Sequence, residues 1–141
     1  MTEPAIKFPN ATHYSPHFSR AELNCGCGCS TPLGVQRNLE RLALRLEELR
    51  ACAGHALRVN CAYRCPARNK AVGGASASFH LQGLAADIDG GGTRAGVDAL
   101  AEAAMKVGAF RVAGIGRYYE GHGLFVHVDM GNRLWRGING H

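Results

Sequence analysis

No apolar run in the chain approaches the ~20 residues that a membrane-spanning helix needs, which excludes a helical span. No charged segment followed by an apolar stretch opens the N-terminus, so no export signal is expected and the chain is expected to be cytoplasmic as synthesised. Acidic residues are in the minority: 16 Lys and Arg stand against 11 Asp and Glu, a formal charge of +5. That excess predicts an anionic partner. The arginines, however, are scattered singly, with no basic run and no interleaved aromatics, which excludes the usual nucleic-acid footprint. A Cys-x-x-Cys pair is also missing, so the zinc ribbon and the dithiol redox motif are excluded. Aromatics are few, and Trp135 and Tyr118–Tyr119 are the candidates to line a groove, although aromatics near a chain end more often serve as core or cover.

The length, 141 residues, fits one domain over 1–141 with a single core. Residues 1–30 are expected to be irregular, with Pro4, Pro9, Pro16 and the run Cys25-Gly-Cys27-Gly-Cys29. Ser19 with Glu22 three residues on predicts a capped helical turn. Val35, Leu39, Leu42, Leu46 and Leu49 step by four and three, which predicts an amphipathic helix from Pro32 to Ala51, with Thr31 as N-cap and Gly54 as stop. Alternation predicts a strand over Leu57–Tyr63. Pro66–Val72 is expected to be a short helix, and Leu84–Asp89 a buried strand ending in a glycine loop. Thr93 caps a second helix to Val107. Val112–Tyr119 and Leu124–Met130 form a hairpin across a Glu120–Gly123 turn. The fold class expected is therefore α+β, an antiparallel sheet with helices packed on it.

Of the seven histidines, two keep notable company. His80 precedes Gly83, Ala85 and Asp87, small residues beside potential ligands. His127 lies in Phe125-Val126-His127-Val128-Asp129, where strand alternation turns the valines one way and His127 with Asp129 the other. A catalytic zinc site needs three N, O or S ligands and an open fourth position. On spacing alone, a structural histidine remains the more common alternative. Asp89 shares a face with Asp87 and is read as a loop or helix-entry carboxylate. The six cysteines (25, 27, 29, 52, 61 and 65) are open between a disulfide from the Cys25–Cys29 loop to Cys61 or Cys65, a structural metal site, and reduced thiols.

Ser78-Phe79-His80-Leu81-Gln82-Gly83-Leu84-Ala85-Ala86-Asp87 resembles the Ser-x-His-x-x-Gly-x-Ala-x-Asp signature of the zinc D-Ala-D-Ala carboxypeptidases and related murein endopeptidases, including L-alanyl-D-glutamate endopeptidases of phage lysins. Ala62-Tyr63-Arg64 stands where that family has Gly-Tyr-Arg, and Phe125–Asp129 is similar to the segment that supplies its last ligand. The resemblance covers about Cys61 to Asp129. It implies the hedgehog-like zinc fold, one Zn2+ per chain held by His80, Asp87 and His127, and hydrolysis of peptidoglycan peptides. It implies that Arg64 stabilises the oxyanion, and that Ser78 and Tyr63 contact substrate; a turn-capping serine is the alternative for Ser78.

The sequence departs from that family at the general base. Relatives carry an acid three residues before the last ligand, or a histidine two before; Leu124 and Phe125 stand there. Asp129 is the first candidate for the base, with a hydrogen bond to a ligand histidine as its rival role. His122 and Glu120 are the alternatives. A non-catalytic zinc module that binds wall peptides or a protein partner is the competing function, and a monomer acting on the wall after release or export by another route is expected.

Overall fold

A computed structural model describes residues 6–120 and 123–140. The leucine stripe becomes α2, Leu33–Ala53, which buries Leu39, Leu42, Ala43, Leu46 and Leu49. Each of those leucines contributes about 1.5–3 kcal/mol by leaving water. Gly54 stops the helix in the left-handed region (φ 77°), its N–H donating to the Arg50 carbonyl. The start differs by one residue from the expectation: Pro32 is the N-cap without a side-chain bond, and the Thr31 hydroxyl is buried without a partner.

The strands β3 (Val59–Cys61), β4 (Ala85–Asp89), β5 (Gly114–Tyr118), β6 (Phe125–Asp129) and β7 (Trp135–Ile138) form one sheet in the order β3-β4-β6-β5-β7. Helices packed on a sheet make the α+β class correct. The sheet is not wholly antiparallel, because β7 runs parallel to β5. Segment 130–134 carries the chain across the start of β5, so β7 reverses β6 and thereby follows β5. Gly114 consequently pairs with Asp129 on one side and Trp135 on the other.

The N-terminal segment is also more ordered than expected. The strands β1 (His13–Ser15) and β2 (Phe18–Ser19) pair, and α1 (Arg20–Leu23) follows. Tyr14, Phe18 and Leu23 enter the core, which gives this segment a reason to fold. The Ser19 hydroxyl caps α1 by accepting from the Glu22 N–H. Between β3 and β4 lie α3, Pro66–Ala71, and a 3-10 turn, Phe79–Gln82. α4, Arg94–Ala104, is capped by Thr93 but ends short of Val107; Gly108–Arg111 then forms a separate turn, α5, and the strand expected from Val112 begins at Gly114. Among the described residues no helix is long and apolar enough to cross a membrane.

The pleat divides the sheet chemically. Ala86, Ile88, Ile115, Val126 and Val128 join α2 and α4 in the core cluster. Alternation sends Asp87, His127 and Asp129 to the opposite face. There the register sets Asp87 directly opposite His127, and Ala85 opposite Asp129.

Candidate metal centre

His80 comes from the 3-10 turn, not from the sheet. Ser78 starts that turn, its hydroxyl accepting from the His80 N–H at 3.2 Å. Gly83 ends it at φ 72°, where a Cβ would lie 2.9 Å from Val35 Cγ1 and 3.1 Å from the Val35 carbonyl oxygen, so this position requires glycine. The turn delivers a buried imidazole (3% exposed) to the Asp87–His127 pair. The ligand-capable atoms of His80, Asp87 and His127 all lie within 4.8 Å of one another.

Both rings are oriented by their outer nitrogens. His80 Nδ1 donates to the Ala62 carbonyl at 2.6 Å, which leaves Nε2 facing Asp87 Oδ1 at 3.3 Å. His127 Nε2 donates to Asp129 Oδ2 at 2.8 Å, which leaves Nδ1 facing the same Asp87 oxygen at 3.0 Å. Two inward nitrogens and a carboxylate, each histidine fixed from behind, make a donor set suited to a divalent ion of the zinc type. The three groups also satisfy one another as charges. Burial opposes charging of His80, but its contact with Asp87 outweighs it and holds the pKa up at about 9. Burial also opposes charging of His127, while Asp129 and Asp87 raise its pKa to about 9. Burial pushes the Asp87 pKa up, but the two histidines more than offset it and lower it well below the usual carboxylate range.

The placement of Asp129 is at odds with the role of base. Its carboxylate is fully buried and lies behind His127, on the ring edge away from Asp87. Oδ1 accepts from the Gly131 N–H at 2.9 Å and from Arg133 Nη1 at 2.8 Å; Oδ2 accepts from Arg133 Nη2 at 3.0 Å besides His127. With both oxygens engaged, the group fits the rival role of orienting a ligand histidine. Glu120 is exposed at the end of β5, and His122 lies outside the described residues. Asp89 is not in the cluster; its Oδ1 accepts from the Gly91 N–H at 2.6 Å and shapes the loop after β4.

Tyr63 corrects another expectation. It is only 3% exposed and packs in the core cluster, so little of it is open to a substrate. Arg64 does stand beside the centre: its N–H donates to the His80 carbonyl at 3.1 Å, and Nη2 donates to Ser78 Oγ at 3.3 Å. The Arg64 Nε is buried without a partner. Ser78 thus caps the turn and ties Arg64 to it. Trp135 packs edge-on to His127, with ring centroids 5.9 Å apart, and Tyr118 stacks on Phe125 at 4.3 Å.

Arg133 was not anticipated, yet its bidentate grip holds Asp129, and its guanidinium lies 4.7 Å from the Phe79 ring centre. Only the loop back from β6 brings it there. A signal was present for the room this requires. Gly114 and Gly116 alternate along β5, and a Cβ at Gly114 would come within 2.1 Å of Asp129 Oδ2, one at Gly116 within 2.8 Å of the Trp135 ring.

Comparison with known proteins agrees with this geometry. The profile of the peptidase M15 family matches residues 16–129. The chain is also 39% identical over 126 residues to a zinc D-Ala-D-Ala carboxypeptidase of Streptomyces albus G; the match covers 84% of this chain and 48% of that protein, so the chain spans about half the length of this relative. The span of the match, which takes in the 3-10 turn and the β4–β6 pair carrying the three ligand-capable residues, means that the chain belongs to the peptidase M15 family.

Proposed function

We propose that the chain is a zinc peptidase that hydrolyses peptide bonds of peptidoglycan stem peptides, as a D-Ala-D-Ala carboxypeptidase or a murein endopeptidase of the phage-lysin kind. The observation that carries this reading is the convergence of His80 Nε2, His127 Nδ1 and the Asp87 carboxylate, with the outer ring nitrogens held by Ala62 and Asp129. Zinc held by these three residues would supply a Lewis acid for the scissile carbonyl and acidify a water towards neutrality. Arg64, fixed through Ser78 and the His80 carbonyl, donates to the oxyanion as charge develops. Asp129 keeps the His127 ring in its ligating orientation. Proton transfer falls to Glu120, which is exposed beyond the end of β5. The net charge of +5 supports an anionic wall polymer as the partner, met by a monomer after release or export.

The test is to incubate the zinc-loaded protein with purified peptidoglycan and to identify new termini by mass spectrometry. Cleavage that disappears in His80→Ala supports the peptidase and names the bond. The hydrophobic pair Leu124–Phe125 and the engaged Asp129 favour one competitor, a zinc module that binds wall peptides without cutting them. Zinc bound by the native protein with no cleavage would decide for that competitor.

A further inference from the structure

A second group of metal-ligating side chains lies outside the His/Asp centre. Cys25, Cys27, Cys29 and Cys65 bring their sulfurs within 4.8 Å of one another, although 35 residues of chain, including α2 and β3, lie between Cys29 and Cys65. All are free thiols. Cys25 and Cys27 Sγ are 3.3 Å apart, and Cys27 and Cys65 Sγ 3.7 Å. In a zinc tetrathiolate with bonds of ~2.3 Å, tetrahedral geometry sets the sulfurs about 3.8 Å apart. The observed spacings are close to the edges of such a tetrahedron.

The surrounding backbone suits thiolates. The Cys65 N–H donates to Cys25 Sγ and the Arg68 N–H to Cys65 Sγ, each at 3.4 Å, and amide donors of this kind support metal-bound sulfur. Three alternate cysteines reach one point because the intervening glycines let the chain curl: Gly28 has φ 79° and its N–H returns to the Cys25 carbonyl. Four mutually close thiols with no acid or base among them make poor catalytic machinery. They do make a complete ligand set for a soft divalent ion.

We propose that Cys25, Cys27, Cys29 and Cys65 bind a second divalent ion, zinc in type, in a closed structural site. The ion enters as the thiol protons, up to four, leave to solvent; no oxidation state changes. With four sulfur ligands no position remains for water, so the site is structural. It ties the N-terminal loop to the segment that serves the His/Asp centre: Cys65 follows Arg64 directly, the Tyr63 N–H donates to the Leu23 carbonyl, and the Ala62 carbonyl orients His80.

Cobalt(II) tests this without any appeal to peptidase activity. The protein, purified reduced and loaded with Co2+, is expected to hold two ions per chain and to show a near-ultraviolet sulfur-to-cobalt charge-transfer band. Thiol titration of that form is expected to find four cysteines masked, with Cys52 and Cys61 reactive. The double variant Cys27→Ser/Cys65→Ser loses the band and one ion, whereas His80→Ala loses one ion and keeps the band. Absence of the band from the native cobalt protein, or six reactive thiols in it, overturns the site even if the double variant does not fold. A protein that shows the band but cuts no peptidoglycan would refute the peptidase reading alone.

Discussion

Zinc entry into the His/Asp centre should be coupled to the loss of two protons. His80 Nε2 and His127 Nδ1 both face Asp87 Oδ1, and both imidazoles have pKa values raised from 6.5 to about 9. A metal needs both nitrogens unprotonated, so apparent affinity scales with the fraction in which both rings are neutral. With both values at 9, that fraction is about 10^-4 at pH 7 and rises about 80-fold by pH 8. Two histidines at the ordinary 6.5 would give a gain of only about 1.6-fold over the same interval. Trp135, the single tryptophan, packs against the His127 ring and supplies a local fluorescence signal. Zinc titrations against a competing chelator, followed by that signal at pH 7 and 8 and controlled with His80→Ala, measure the slope. A gain below about threefold would refute the coupling, because it would mean that Asp87 does not hold two charged imidazoles in the empty centre.

Asp129→Ala is expected to weaken zinc binding about 10–100-fold, since it frees the His127 ring and strands Arg133, and equilibrium dialysis measures this; unchanged affinity would reopen the question of its role. Gly114→Ala should act in the same direction, because the added Cβ lies 2.1 Å from a carboxylate pinned on every side. Arg64→Lys should lower kcat about 10^2–10^3-fold with zinc content intact, by losing a fixed donor to the oxyanion; an unchanged kcat removes Arg64 from the chemistry. The metal-free protein should also lose stability in alkali. The raised histidine pKa values stabilise the fold fully below about 6.5, and that contribution fades as pH rises through about 9, so thermal midpoints in chelator should fall over this range.

Much of the centre was legible in the sequence because periodicity is local. The leucine stripe dictated α2, and the pleat of Phe125–Asp129 placed the valines in the core with His127 and Asp129 opposite. The signature from Ser78 to Asp87 marked His80 and Asp87, and the strand expected over Leu84–Asp89 placed the second of them. Other features depended on which segments meet. Tyr63 sits beside Arg64 in sequence, but one is packed in the core and the other reaches Ser78. Between the two roles open to Asp129 the sequence offered no choice, because strand alternation specifies a face but not the side of a histidine ring on which a neighbour will lie. Arg133 and β7 depend on the crossing over β5, and the cysteine cluster on Cys65 returning to the N-terminal loop. The sequence by itself determined the two main helices, the β4 and β6 strands and the residue types of the site. The tertiary structure decided their hydrogen-bond partners, and hence which carboxylate faces both histidines and which lies behind one of them, because those partners come from strand register and loop return, which no local period encodes.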